Sequence, residues 1–119
     1  MILIDKDGSF VYEFADEIVS KFSYDMNAVQ IEVQFEGYYE NGEYNESPCS
    51  LFIENWKQAK SKLHGEEQYD SLDIHLGIFS MILSLECSPE KTALSINTLD
   101  DRYIELVFEQ VTVRVEKHE

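Results

Sequence analysis

The side chains that could do chemistry are three histidines, two cysteines and 24 carboxylates. His64, His75 and His118 are isolated, because none is spaced from another histidine or from a cysteine as zinc ligands are. A serine, a histidine and an aspartate can be chosen from the chain, but no nucleophile elbow or other local signature accompanies them. The sequence therefore predicts no catalytic residue, no metal site and no cofactor.

The carboxylates do not single out an acid–base pair, because among 24 some lie close together by chance. Asp5 and Asp7, like Asp100 and Asp101, are better explained as turn-forming residues whose side chains bond to the nearby backbone. Residues 5–9 begin like a calcium-binding loop but lack its later ligands. We therefore expect a protein that is not an enzyme.

The net charge of −15 favours some partners and disfavours others. A negative field of this size repels nucleic acid and anionic membranes, and it speeds encounter with basic proteins. Simple solubility is the alternative explanation of the charge. No apolar run approaches the roughly 18 residues that a membrane span needs, and the first ten residues do not form a signal sequence.

The composition indicates one folded domain in a reducing compartment. The chain has 119 residues, of which 13% are aromatic, and this is long enough to bury a single core over residues 1–119. Two cysteines fit incidental thiols better than a disulfide. We expect the protein in the cytoplasm.

Acids and tyrosines concentrate in a predicted hairpin at residues 28–54. Apolar and polar residues alternate through its first arm, which is typical of a strand that is buried on one side. The Asn41-Gly42 dipeptide then predicts a type I′ turn, which needs positive φ at both residues.

A tight turn at the tip would give this hairpin an unfavourable register. A tight turn at Asn41-Gly42 would place Phe35 opposite Pro48 and would leave Leu51 and Ile53 on the polar face, which is costly. A bulge near Gly37 or Pro48 would shift the pairing by one residue and restore the match. We therefore expect the tip of the hairpin to twist out of the sheet.

Two groups of residues are candidates for binding a protein partner. Tyrosines are frequent anchors of interfaces, and carboxylates pair with lysine and arginine, although tyrosines could equally cover the end of the sheet. The first group lies at the hairpin tip and comprises Glu36, Tyr38, Tyr39, Glu40, Glu43, Tyr44 and Glu46. The second group lies in the loop of residues 66–73 and comprises Glu66, Glu67, Tyr69, Asp70 and Asp73.

The predicted fold class is α+β, mainly an antiparallel β meander of about seven or eight short strands with two short helices. Apolar residues recur at three- and four-residue spacing in residues 15–22 and again in 54–63, which predicts the helices. Besides the two arms of the hairpin, the predicted strands lie at residues 1–5, 9–14, 72–87, 93–99, 103–108 and 111–116.

A compact acidic chain that carries FEGYYENGEYNE at residues 35–46 and IENWKQAKSKL at 53–63 resembles bacterial immunity proteins of polymorphic-toxin and contact-dependent growth inhibition systems. The resemblance is one of overall character across the chain, so it transfers no site residue. It implies a protein that binds a cognate basic toxin domain, encoded nearby, and occludes the active site of that domain.

Two other functions remain open. A DNA-mimic inhibitor of a nucleic-acid-binding protein would carry acids in two rows along one face, in imitation of phosphates. A small ligand-binding or enzymatic sheet domain would have a deep pocket lined by tyrosines, Trp56 and a few acids. Exposed edge strands could also pair two copies into a homodimer.

Overall fold

The computed structural model describes residues 2–3, 12–14, 17–88 and 90–118. In this part of the chain the strands are β1 (Ile2–Leu3), β2 (Tyr12–Glu13), β3 (Glu17–Asp25), β4 (Gln30–Phe35), β5 (Tyr38–Glu40), β6 (Glu43–Asn45), β7 (Cys49–Glu54), β8 (Gln58–Leu63), β9 (Asp70–Ser71), β10 (Phe79–Cys87), β11 (Lys91–Thr98), β12 (Tyr103–Glu109) and β13 (Thr112–Lys117). A helix of four residues, α1 (Leu72–His75), lies between β9 and β10. Within these ranges no helix is long and apolar enough to cross a membrane.

Ten strands form one sheet in the order β1-β13-β7-β4-β3-β10-β11-β12-β8-β9, and β2-β5-β6 form a smaller second sheet. Every pairing is antiparallel. One edge of the large sheet is β9, which is two residues long. So short an edge strand offers a second copy few backbone groups to pair with. The homodimer expected from edge pairing stays a prediction.

The chain crosses twice between the two halves of the large sheet, from β7 to β8 and from β12 to β13. The pairing continues across both crossings, because Glu54 pairs with Thr112 and Gln58 pairs with Glu109. Each crossing contains a non-glycine residue with positive φ, Asn55 or Gln110. Since β3 pairs with both β4 and β10, the strands follow one another around a single core.

Aromatic rings fill this core. Phe14 stacks on Phe35 and Phe22 stacks on Phe79, each with ring centroids 4.6 Å apart. Fully buried side chains of this size each stabilise the fold by about 1.5–3 kcal/mol relative to exposure. The core therefore depends on the inward faces of strands from both halves of the sheet.

The hairpin register is shifted by one residue, as the sequence predicts. Phe35 pairs with Cys49 and Val33 pairs with Leu51, so that Leu51 is buried on the same face as Val33. The extra residue is accommodated in the segment between β4 and β7, which forms the separate strands β5 and β6.

The two predicted helices are wrong, and the described chain is mostly antiparallel β with very little helix. Residues 17–22 lie in β3, where a register shift between Val19 and Lys21 brings both Val19 and Phe22 to the core and imitates helical spacing. Residues 58–63 form β8, although lysine, glutamine and alanine favour helices. Pairing with β12 along its whole length overrides that preference.

Two further predictions are changed or lie outside the described residues. The strand predicted from residue 72 begins instead with α1, and β10 starts at Phe79. Of the strands predicted at residues 1–5 and 9–14, the described parts β1 and β2 pair with β13 and β5. The remaining residues of both predicted strands, with the turn at 6–8, lie outside the described residues. The strands predicted over 93–99, 103–108 and 111–116 correspond to β11, β12 and β13.

Candidate partner-binding surface

The hairpin tip is a two-stranded ribbon of β5 and β6 that lies outside the large sheet. Its turn residues Asn41 and Gly42 have φ values of 51° and 83°, which is the combination that a type I′ turn requires. On its other side β5 pairs with β2. The expectation that the tip leaves the sheet is confirmed, and the ribbon is held by backbone pairing on both sides of β5.

The ribbon presents two tyrosine rings to solvent. Tyr39 and Tyr44 pair across the strands, their ring centroids are 5.0 Å apart, and they are 39% and 51% exposed. A Cβ atom at Gly37 would overlap the Tyr44 hydroxyl, so the absence of a side chain there lets Tyr44 lie against the chain. Partial burial, and then the negative charge of Glu17, raises the pKa of Tyr44.

Three acids of the tip are free for a partner. Glu36, Glu43 and Glu46 are exposed, and no described residue forms an ion pair with any of them. Asn45 bonds only to the backbone carbonyl of Glu43. These carboxylates surround the two exposed tyrosines along a short stretch of chain.

The other two candidates of the tip hold the ribbon to the rest of the protein. Tyr38 points away from Tyr39 and is buried in the core, at 4% exposure. Glu40 forms an ion pair with Lys117 on β13 at 2.8 Å, and the Lys117 ammonium is also 6.0 Å from the Tyr38 ring centroid. The sequence could not separate these two residues from the exposed ones, because the separation depends on β13.

The second group of candidates lies beside two lysines of the chain itself. The ammonium groups of Lys60 and Lys62 lie 5.0 Å and 4.8 Å from the ring centroid of Tyr69. Asp70 is hydrogen-bonded to His75 at 2.8 Å. Glu66 and Glu67 are exposed. This loop is therefore a less acidic surface than its sequence indicates.

The two groups do not form one continuous surface. Tyr44 lies close enough to Glu17, at the start of β3, for that charge to affect its pKa. The second group reaches the other end of β3 through Asp73 in α1, which accepts a hydrogen bond from the Tyr24 hydroxyl at 2.9 Å. Tyr24 is seven positions along β3 from Glu17, which corresponds to roughly 20 Å of strand.

A hydrogen-bonded Ser50–His118 pair is the arrangement closest to a catalytic one, and sequence reasoning missed it. The Ser50 hydroxyl lies 2.7 Å from Nε2 of His118 and donates to a carboxylate oxygen of Glu32 at 3.2 Å. A serine nucleophile must be accessible and must give its proton to the histidine. Ser50 is only 1% exposed, so it is not accessible as a nucleophile, and its contacts with Glu32 and His118 hold β4, β7 and the C-terminal residues together.

A second polar network lies on the outer face of β7 and β13. Arg114 contacts Glu54 at 2.6 Å and lies 3.8 Å from the ring centroid of Phe52. Burial favours a higher pKa for Glu54, but hydrogen bonds from Arg114 and Gln30 outweigh it and lower the pKa. The alternation of polar residues on β4 indicated a wet face, but partners from β7 and β13 could be known only from the pairing.

The described residues contain neither a cluster of metal ligands nor a thiol of lowered pKa. Among the described residues no group of three His, Cys, Asp or Glu side chains could hold a metal ion. Both cysteines are free, and burial raises the pKa of Cys49 to about 12, which keeps it a thiol at neutral pH. Trp56 packs against Tyr24 and Phe108 in the aromatic core, where the ligand-binding alternative expected a pocket wall.

No protein-family model, no curated protein and no solved structure matches this chain. The likeness to immunity proteins therefore remains a resemblance of sequence character. The features that bear on function are the exposed surface of the ribbon and the charge of the chain.

Proposed function

We propose that this chain is a non-enzymatic cytoplasmic binding protein, an immunity protein that neutralises a cognate basic toxin domain by occluding its active site. The observation that carries the proposal is the exposed Tyr39–Tyr44 pair on a preformed ribbon, next to the acids Glu36, Glu43 and Glu46. Large aromatic rings that are exposed at a fixed turn, beside carboxylates without local ion pairs, are typical of an interface and have no catalytic use here.

The mechanism has two steps. The net charge of −15 first accelerates encounter with a positively charged domain, an effect that falls with ionic strength. The two tyrosines are then buried against the partner while the carboxylates pair with lysine or arginine at the rim. Because Asn41 and Gly42 already fix the turn, little conformational entropy is lost on binding.

The test is a titration with the basic C-terminal domain encoded immediately upstream, followed by calorimetry. Truncation of one anchor typically costs about 2 kcal/mol, which is roughly a 30-fold loss of affinity. We expect Tyr39→Ala and Tyr44→Ala each to weaken binding by this amount. Tyr103→Ala is the matched control, because Tyr103 is an exposed tyrosine on β12 that the proposal does not use.

Charge is tested separately with Glu43→Lys, which should slow association more than it speeds dissociation. Glu90→Lys changes the net charge equally at an exposed position outside both candidate groups and is the control. If both tyrosine variants bind the domain as tightly as the wild type, the ribbon is not the interface.

A further inference from the structure

A second exposed surface lies at the end of β3 that is distant from the ribbon. It is an open groove of about 240 Å³, the α1 groove, lined by Phe22, Tyr24, Asp73, Leu76, Gly77 and Ile78. The hydrogen bond from Tyr24 to Asp73 joins β3 to α1 across the groove, and Phe22 is fixed by stacking on Phe79. Both walls are therefore formed before any ligand binds.

Ile78, which lines the α1 groove, is 56% exposed. Two other large aliphatic side chains, those of Ile74 beside Asp73 in α1 and of Leu99, are 61% and 67% exposed. The backbone N–H of Leu99 donates to the carbonyl of Ile78 at 3.0 Å, which places these two residues side by side. Several exposed aliphatic residues next to a groove are characteristic of a protein interaction site.

The surroundings of the groove are acidic. Asp73 is exposed at the groove itself, and Asp100 and Asp101 directly follow Leu99. The guanidinium of Arg102 forms local contacts: it pairs with Asp100 at 2.7 Å and donates a hydrogen bond to the His75 carbonyl at 3.1 Å. An apolar centre with an acidic rim is complementary to an apolar side chain flanked by lysine or arginine.

We infer that the α1 groove is a second docking site, which takes a short basic amphipathic segment of the partner. An apolar side chain of that segment fills the groove, and its cationic neighbours face Asp73 and Asp101. A second copy of this chain is a poor occupant, because two chains of charge −15 repel each other. The inference rests on the proposed function, since the segment belongs to the same basic partner.

The probe is a synthetic amidated peptide of leucine and lysine, about four helical turns long, with leucines at helical spacing along one face. One control peptide replaces its leucines by serine, and another replaces its lysines by glutamate. Binding is followed by chemical-shift changes of the isotope-labelled full chain at roughly physiological ionic strength. The protein variants are the triple substitution Ile74→Ser, Ile78→Ser, Leu99→Ser and, as its control, Ile18→Ser, which changes an exposed isoleucine on β3.

We expect the leucine–lysine peptide to shift resonances within residues 73–79 and 98–102. Its affinity should be at least roughly tenfold lower for the triple variant than for the wild type and should be unchanged for Ile18→Ser. The serine peptide should bind at least tenfold more weakly than the leucine–lysine peptide, and the glutamate peptide should not bind. The inference is overturned if the shifts lie elsewhere, if the triple variant binds normally, or if either control peptide binds as well. It is also overturned if the wild type sediments as a dimer and the triple variant does not.

The two proposals fail separately. A chain that carries Tyr39→Ala and Tyr44→Ala should bind the leucine–lysine peptide as the wild type does. If it also binds the upstream-encoded domain normally, the ribbon interface is refuted and the groove remains. If it loses that domain while the peptide fails to bind the wild type, the groove is refuted and the ribbon remains.

Discussion

Replacement of Arg114 tests the polar network on β7 and β13. Arg114→Ala removes the partner of Glu54, whose side chain is 15% exposed, and uncovers the ring of Phe52. A hydrogen bond to a charged group contributes about 1.5–3 kcal/mol, and a cation over an aromatic ring adds about 0.5–2 kcal/mol. Because Gln30 still donates to Glu54, we expect the free energy of unfolding to fall by about 2–4 kcal/mol.

The stability lost in Arg114→Ala should depend on pH, because the substitution changes the pKa of Glu54. In the wild type the pKa of Glu54 is lowered, so the pair stabilises the protein above the ordinary carboxyl pKa and is lost only in acid. In Arg114→Ala, burial is left without its counter-charge and raises the pKa of Glu54. Protonation then relieves the cost, so the loss of stability should be smaller at about pH 5 than at about pH 7.

The assay is urea denaturation followed by the fluorescence of Trp56, which packs in the core beside Phe108. The double variant Arg114→Ala, Glu54→Gln should recover part of the lost stability, because it removes the uncompensated charge. An equal loss at both pH values, with no recovery in the double variant, would refute the assignment of an energetically coupled ion pair.

Two further outcomes can be measured. Gly37→Ala should weaken binding of the basic partner by roughly the 30-fold expected for Tyr44→Ala, because the new Cβ overlaps the Tyr44 ring and displaces it. Gly65→Ala is the control and should leave the affinity unchanged. Calorimetry decides, and normal affinity of Gly37→Ala would show that the position of Tyr44 is unimportant. Cys49 should react with iodoacetamide only after urea unfolding, because it is buried and burial raises its pKa to about 12. Peptide mass spectrometry separates Cys49 from the other free thiol, Cys87, and rapid alkylation of Cys49 in the native chain would contradict the prediction.

The central hairpin was predictable because local chemistry and burial agree there. Asn41-Gly42 accepts the positive φ values that a type I′ turn needs. The pairing of Phe35 with Cys49 follows from the cost of placing Leu51 on the wet face, which excludes the register of a tight turn. One strand face and one dipeptide are enough to place the ribbon outside the sheet.

The two false helices show what local patterns cannot provide. In β3 the register shift after Val19 breaks the alternation that marks a strand. In β8 the inward side chain between Ala59 and Leu63 is Ser61, whose hydroxyl bonds the backbone carbonyls of Ser71 and Leu72. A polar residue is stable at this buried position because another part of the chain supplies its acceptors.

The candidate site was predictable as a stretch of chain and unpredictable residue by residue. The sequence identified an aromatic and acidic tip, but it treated Tyr38 and Tyr39 alike. Alternation along β5 turns one ring into the core and the other to solvent. Glu40 is not available to a partner because it forms an ion pair with Lys117, which is distant in sequence.

The two crossings at Asn55 and Gln110 make the halves of the sheet mutually dependent in folding. Residues 49–63 and 103–117 pair along both halves, so the chain between them must be closed into a long loop before that ladder forms. Such non-local pairing slows folding towards milliseconds or seconds. A newly synthesised chain cannot complete the face that positions the ribbon until β13 is available, because Glu40 pairs with Lys117 on that strand.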